Sequence, residues 1–340
     1  MTEHIGKNFN LDSSSGTPLY RQIVDNFIKL VENGELEKGD KIPAINALHK
    51  ALKVGRVTVV NAYREMKERG LIDSTHGKGF FIKNPNIVNQ KRIFLLFDSM
   101  NDYKQVLYRS FVNELGDRYQ VESFFHYYNL KQFTRFINNN LGQYNYYVLL
   151  PHFNQDISYL LDTIPKNRLL LVDADITKFT GDYSAVFQNF KADVYNSLKS
   201  GLNQIQKYKK LNLAVNLNFQ FIPDGMIAGF EKFCKDFNID YTIYDNLTYR
   251  DIKTNEAYFV VSENDLINVV KFTIENELQL GKEIGLISYD DTPLKSILAG
   301  GITVISTDFE QMGKMAAKMI KEKITNRFEN PARLILRNSL

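Results

Sequence analysis

Residues 16–82 read GTPLYRQIVDNFIKLVENGELEKGDKIPAINALHKALKVGRVTVVNAYREMKERGLIDSTHGKGFFI, and the reading of this stretch decides the fold. Thr17-Pro18 puts a capping hydroxyl before a proline at the first helical position. Leu19, Ile23, Phe27, Leu30 and Val31 then recur at helical spacing, so a first helix is expected to end near Asn33-Gly34. GELEKGDKIP is turn-rich, and Pro43 starts a short helix over residues 44–52 with Ile45, Leu48 and Leu52 on one face. Val54-Gly55 is a turn. A third helix over residues 56–69 buries Val59 or Val60, Tyr63 and Met66, and Gly70 stops it as a left-handed cap. Residues 71–74 and 80–82 read as paired strands around His76-Gly77-Lys78-Gly79, whose glycines permit positive φ and let backbone amides approach a phosphate. Three helices followed by a glycine-turned hairpin are the pattern of a winged helix-turn-helix.

Working outward, charge agrees by placement rather than by amount. Residues 1–83 carry 13 Lys/Arg against 10 Asp/Glu, a modest excess, yet Lys50, Lys53, Arg56 and Lys78 fall at the turn, the third-helix start and the wing tip. The whole chain of 340 residues has a formal net charge of +3, so bulk charge says nothing of partners, and the length suits a small domain plus a larger one. The lone Cys234 excludes an internal disulfide framework and suits a reducing compartment. The opening MTEHIGKNFNLDSSSG lacks signal-peptide character and no apolar run is long enough to cross a bilayer, so a cytoplasmic location without membrane contact is expected.

After Asn84-Pro85-Asn86 the pattern changes. RIFLLF, VESFFHY, YYVLLP, RLLLVD, LNLAVN, IDYTIY, AYFVVS and EIGLISY are apolar runs, separated by helical stretches near residues 103–115, 130–140, 155–161, 191–207 and 225–237 and after Asn264. Strands apolar on both faces alternating with helices argue for parallel sheets covered by helices, in two α/β halves with a crevice between them. The expected fold is therefore α/β: a winged helix-turn-helix over residues 1–83, a linker at 84–91, and a two-lobed parallel α/β domain over 92–340.

The residues of the first part look like the DNA-binding domain of the GntR family of bacterial transcription regulators, through GTPLYRQI, NGELEKGDKIP, VTVVNAYREMKERGLI and HGKGFFI. The resemblance implies contacts to duplex DNA from Arg56 and Thr58 at the third-helix start and from His76 and Gly77 in the wing, beside Lys78. Where the family commonly has an arginine in the second helix this chain has Ala44 and Asn46, and Gly55 replaces the usual serine; Asn46 can still donate to a phosphate or pair with adenine. Residues from about 91 to 340 resemble the sugar-sensing domain of LacI-type repressors, itself similar to periplasmic binding proteins. GLISYDDTPL, ITVIST with DFEQMGKMAAKMI, VSENDLI and LILRNSL carry that resemblance. The pairing resembles arabinose and fucose-type repressors.

This second resemblance implies that Asp290 and Asn264 hydrogen-bond effector hydroxyls, with Asp173 and Phe187 on the opposite wall and Thr307 in the cleft. Met226 stands where relatives often have an arginine clamp. Independently, carboxylates at strand ends suit vicinal sugar hydroxyls, and with no Trp the partner for an apolar ring face must be Tyr or Phe: Phe187, or the run DSMNDY with Asp98, Asp102 and Tyr103. Plainer readings compete. Asp290-Asp291 could cap a strand end, Asn264 could cap a helix with Asp265 the better candidate, and Asp173 and Asp175 could be a polar strand end, having no nearby matching His. His126 and His152 are too isolated in spacing for a metal site, Cys234 reads as packed, and HGKG lacks the context of a phosphate-binding loop. No catalytic motif and no cofactor site is evident. The expectation is a homodimeric repressor of operator DNA released by a small sugar; the rivals are an enzyme-like sensor and a sugar-binding module without operator specificity.

Overall fold

A computed structural model describes residues 9–14, 17–75, 77–85, 90–215 and 221–340. The chain divides into two compact units: residues Met1–Phe94 with Gly116–Glu122 and Arg135–Tyr147, and residues Leu95–Leu115, Ser123–Thr134 and Val148–Leu340.

In the first unit α1 (Leu19–Glu32), α2 (Ile45–Leu52) and α3 (Arg56–Glu68) are followed by a hairpin of β2 (Ile72–Thr75) and β3 (Gly79–Ile82). Ile23, Val24 and Phe27 of α1, Leu48 of α2 and Val59, Ala62, Tyr63 and Met66 of α3 share one core. Of the two valines that the helical spacing allowed, Val59 is thus the buried one. Phe27, Tyr63 and Phe80 meet edge to face, with centroids 6.1 and 4.8 Å apart, and the Tyr63 hydroxyl donates to the Pro43 carbonyl at 2.5 Å. Buried Arg21 of α1 pairs with Glu65 of α3, which also takes Arg69.

Two local expectations are corrected. Pro18 is the N-cap residue rather than the first helical one: its ψ of 141° is extended, its carbonyl already accepts from the Arg21 and Gln22 amides, and it brings no capping side chain of its own. The turn-rich GELEKGDKIP also contributes β1 (Lys41–Ile42), which pairs antiparallel with β3 and makes a sheet in the order β1-β3-β2. Gly70 ends α3 with φ 73°, as expected.

From residue 91 strands and helices alternate. The series is β4 (Lys91–Phe97), α4 (Asp102–Leu115), β5 (Tyr119–Phe125), α5 (Leu130–Asn140), β6 (Tyr146–Leu149), α6 (Ser158–Leu161), β7 (Leu169–Ala174) and β8 (Ser184–Phe187). It continues with α7 (Phe190–Ser200), α8 (Leu202–Ile205), β9 (Leu211–Ala214), α9 (Asp224–Asp236), β10 (Tyr241–Tyr244), β11 (Ala257–Val260), α10 (Glu263–Glu275), β12 (Gly285–Tyr289), α11 (Pro293–Ile297) and β13 (Thr303–Ser306). It closes with α12 (Phe309–Glu322), β14 (Arg327–Glu329) and β15 (Arg333–Ile335). Two six-stranded sheets result, β14-β8-β7-β6-β4-β5 and β10-β9-β11-β12-β13-β15. In the second of these sheets β10, β9, β11, β12 and β13 pair in parallel, and edge strand β15 runs antiparallel to β13.

The helix expected over residues 191–207 is broken at Gly201 into α7 and α8. The one expected from residue 155 shrinks to α6, because Asp156 takes the Ser158 amide at 2.8 Å in a turn of its own. Two helix pairs pack at glycine distance: a Cβ on Gly229 of α9 would meet the Lys191 carbonyl oxygen at 2.4 Å, and one on Gly313 of α12 would meet that of Leu107 in α4 at 2.5 Å.

The chain passes between the sheets three times, after β8, after β13 and between β14 and β15. Asn330 ties these passages together. Its amide donates to the Phe187 carbonyl at 2.8 Å, and its side-chain Nδ2 donates to Thr307 Oγ1 at 2.7 Å and to the Asp308 carbonyl at 3.0 Å. The Thr307 hydroxyl donates in turn to the Asn330 carbonyl at 2.7 Å. The three crossings are thereby tied to one another.

Candidate functional site

In the first unit the exposed groups gather at the start of α3. Gly55 is its N-cap and supplies no capping side chain, so the helix opens on Arg56, Val57 and Thr58 with its positive end uncovered. Asn46, exposed on α2, accepts from Arg56 Nε at 3.1 Å. An asparagine in place of an arginine thus still serves the surface, by fixing the guanidinium and leaving its outer edge free to fork. Val57 is 70% exposed, an apolar surface of the kind that meets a thymine methyl. At the wing Gly77 has φ 72°, Gly79 has φ 105°, and the exposed Lys78 closes the turn by donating its amide to the Thr75 carbonyl. Lys50 and Lys53 are exposed on and just beyond α2. His76 lies outside the described residues.

The second unit holds a cavity of about 330 Å³, near the low end of small-molecule sites. One wall comes from the ends of β4, β6 and β7, and the other from the ends of β11 and β12 with the starts of α9, α10 and α11. Asp98, just past β4, is fully buried and paired through both oxygens with Lys104, equally buried on α4. His152, beyond β6, bridges two acids: Nδ1 lies 3.1 Å from Asp98 Oδ2, and Nε2 lies 2.8 Å from the Asp173 carbonyl and 3.4 Å from its carboxylate. Asp173 sits where the β7–β8 register slips between Val172 and Ala174, with φ 55°, and Gln188 Nε2 donates to its Oδ1 at 2.5 Å. Bulges of this kind re-aim a side chain next to functional sites.

Across the cavity Asp290 takes up the same left-handed backbone at the end of β12, with φ 58°. Its Oδ1, the Tyr289 hydroxyl and Gln188 Oε1 are buried without a hydrogen-bond partner. Lys295 of α11 donates to the Tyr289 and Asp290 carbonyls at 2.9 and 3.0 Å and pairs with Glu263 at 2.9 Å. Aromatic faces complete the cavity. Tyr103 stacks on Phe309 with centroids 4.4 Å apart, and Phe221 lies nearly parallel to His152 at 5.0 Å. Carboxylate oxygens and hydroxyls left open beside ring faces can bind a hydroxylated ring; nothing in the arrangement pairs a nucleophile with a base.

Residues 19–82 match the family described as bacterial regulatory proteins, gntR family, and residues 209–340 match the periplasmic binding protein-like domain. The chain joins a gntR-family segment to a periplasmic-binding-protein-like one. Its relatives are transcription regulators. One is the mannosyl-D-glycerate transport/metabolism system repressor MngR of Escherichia coli, 39% identical over 70 residues, which are 21% of this chain and 29% of that protein. The chain therefore spans less than a third of that relative's length. Among solved structures, a LacI family transcriptional regulator from Lactobacillus casei with bound glucose has a TM-score of 0.58 at 13% identity, covering 73% of this chain and all of that one. The lac repressor dimer bound to operator and the anti-inducer ONPF has 0.59 at 13% identity, covering 74% and 94%. These likenesses are to the fold. Among the described residues no helix is long and apolar enough to cross a membrane.

Of the sensor-like segment's expected contacts, Asp98, Asp102, Tyr103, Asp173 and Asp290 line the cavity. Phe187, Asn264 and Thr307 are not among the lining residues. Phe187 and Thr307 belong to the crossings tied by Asn330. Asn264 is exposed in the first turn of α10, whose N-cap is Ser262, accepting from the Asp265 amide at 3.0 Å, so Asp265 is not the cap. Asp291 is held by the Arg337 guanidinium at 2.8 and 2.6 Å. Met226, in the place of the family arginine, forms apolar wall. The sequence reading passed over His152, Gln188, Phe221, Tyr289 and Lys295. His152 and Asp173 are 21 residues apart and become neighbours through the adjacency of β6 and β7 in the sheet; the available signal was that both stand at the ends of apolar runs. His126, also after a strand, is a packed core residue: its Nε2 bonds the Leu150 carbonyl and burial lowers its pKa to about 4.

Burial works against charge at both His152 and Asp98, but their mutual attraction overcomes it. His152, faced by Asp98 and Asp173, is pushed up to about 9, and Asp98, faced by His152 and Lys104, is held far below the usual carboxylate range. A histidine raised in the folded state contributes stability in full below its unfolded value near 6.5, and that contribution is lost as pH climbs through 9. On the order of 3 kcal/mol is involved, which for a domain of this size is roughly 6–12 °C in melting temperature. We expect thermal melts of the wild type to fall between pH 6.5 and 9.5 and those of His152→Gln to be flatter over that window; parallel curves would remove His152 from the account.

Proposed function

We propose that this chain is a transcription repressor in which residues 1–83 grip operator DNA, 84–91 link, and 92–340 bind a small sugar whose occupancy releases the DNA. The observation that carries the reading is the pair of left-handed aspartates, Asp173 and Asp290, at strand ends on opposite walls of one small cavity, with open acceptors beside aromatic faces. The gntR-family segment and the glucose-bound neighbour support it. One reader contacts few bases, so two joined readers on a near-palindromic site are the economical arrangement, and the chain acts as a homodimer inside the cell. A pentose or deoxyhexose fits the cavity's size. The sugar must favour one closure of the lobes over the other, since equal affinity shifts nothing.

Operator binding followed by fluorescence anisotropy tests the reading. With roughly 6–10 phosphate contacts for the pair, log affinity should fall with log salt at a slope of about −5 to −9, and sugar should weaken operator more than random duplex. Equal affinity for operator and random duplex would leave a sugar-binding module without operator specificity. Turnover of a bound sugar would instead favour an enzyme.

A further inference from the structure

The cavity wall is short of free cations and rich in carboxylates, and this sets a ligand class narrower than sugars in general. Five lining side chains are carboxylates: Asp98, Asp102, Asp173, Glu263 and Asp290. The lining cations are His152 and Lys295, and the protein already occupies both. The three protons of the Lys295 ammonium are matched by the Tyr289 carbonyl, the Asp290 carbonyl and Glu263, while the two ring nitrogens of His152 face Asp98 and Asp173. Lys104, behind the wall, is buried against Asp98.

The other common anion holders are the helix starts that border the cavity. Asn101 takes the Lys104 amide at the start of α4, Asn189 caps α7, Ser262 caps α10, Thr292 caps α11 and Asp308 caps α12. At α9 the N-cap residue Pro223 supplies no side-chain bond, but the acid Asp224 stands in its first turn and disfavours an anion there. A phosphate or carboxylate on the ligand would meet carboxylates and cations already paired, at the cost of an unpaired buried charge. Of the buried groups left open, Gln188 Oε1 accepts, Asp290 Oδ1 accepts when its carboxyl is ionised, and the Tyr289 hydroxyl can do either.

Resting on the sugar reading above, we propose that the cleft selects a hydroxyl-rich ligand without an anionic group, a neutral or amino sugar, and rejects sugar phosphates and sugar acids. Exclusion arises from spent cations rather than from size. The regulator then reports the free sugar, before any step that phosphorylates or oxidises it.

Isothermal titration of the full chain at pH 7.5 tests this with matched sets. The probes are D-glucose, D-galactose, L-arabinose, D-xylose, L-fucose and L-rhamnose, then D-glucosamine and D-galactosamine, then glucose 6-phosphate, galactose 6-phosphate, glucuronate and galacturonate. Whichever parent sugar binds, its phosphate or acid should bind roughly 100-fold more weakly, and its amine as well or better. A phosphate or acid binding as tightly as its parent overturns the inference while leaving the sugar reading intact. Heat from none of the probes overturns the sugar reading and the inference with it. Glu263→Gln, at an exposed position, frees one Lys295 proton and removes a carboxylate, so the ratio of phosphate to parent should recover by roughly tenfold; an unchanged ratio overturns the assignment to spent cations.

Discussion

Arg56→Ala is expected to abolish specific operator binding while leaving sugar affinity unchanged. The guanidinium stands at the uncapped start of α3 with Nε tethered to Asn46 Oδ1, so its two terminal nitrogens are oriented before DNA arrives and little side-chain freedom remains to be lost. A bidentate arginine on a guanine edge is worth about 1–3 kcal/mol, and a two-fold assembly loses it twice, so operator affinity should drop by roughly 30-fold to more than a thousandfold. Arg56→Lys separates the fork from the charge: it should retain the salt slope and non-specific binding but lose the preference for operator. Asn46→Ala removes only the tether and should fall between. Anisotropy against operator and scrambled duplexes measures all three; equal losses on both duplexes for Arg56→Ala would assign Arg56 to backbone contact alone, and a parallel loss of sugar binding would sink the division of labour.

The reader was legible because its signals are local. Helical spacing of Leu19, Ile23 and Phe27, the glycines at 70 and 77, and the proline at 43 act within a few residues of themselves, and the elements came out at nearly the expected limits. What escaped was what depends on pairing at a distance. β1 is two residues long with no periodicity to read and exists only because β3 offers Phe80 and Phe81 as partners. Pro18 moved by one position because its ψ of 141° is extended, outside the helical range, which the residue type alone does not decide.

The cleft shows the same division. Apolar runs announced the strands, and the acids at their ends, Asp98, Asp173 and Asp290, could be picked as candidates because such ends face the crevice in parallel sheets. Gln188 and Phe187 show the limit. They are adjacent in sequence, but the bulge at Asp173 and the end of β8 give the cavity to Gln188 and the crossing to Phe187. Alternation along a strand cannot reveal a slipped register. Lys295 was illegible for another reason: a lysine reads as solvated surface, and its burial is decided by two carbonyls and Glu263, more than thirty residues upstream, that converge on it.

Asp290→Asn should uncouple sugar from DNA release, and its pH dependence distinguishes a ligand contact from a structural one. Burial first, and then the nearby Asp173 charge, push the Asp290 carboxyl up to about 7 against the opposing pull of Lys295, Lys104 and His152. His152 stays charged up to about 9 and Asp98 stays ionised far below neutrality, so neither changes charge between pH 5.5 and 8, whereas Asp290 does. A ligand hydroxyl donates best to the ionised form. Wild-type sugar affinity should therefore rise through pH 7, and the D290N variant should be flat, roughly 10–100-fold weaker at pH 8 and close to wild type at pH 5.5.

Stability should move the other way. A carboxyl raised in the folded state makes the folded protein less stable as pH rises from its unfolded value near 4 through 7, so the variant without sugar should melt higher than wild type at pH 8, and asparagine tolerates the left-handed φ of 58°. Asp193 is also pushed up to about 7, mainly by burial, but it does not line the cavity, so Asp193→Asn should share the stability gain and keep the sugar response. If the two variants respond to sugar alike, Asp290 is a strained support and the ligand lies elsewhere. If they part as described, the strain at the end of β12 is what keeps an acceptor open for the effector.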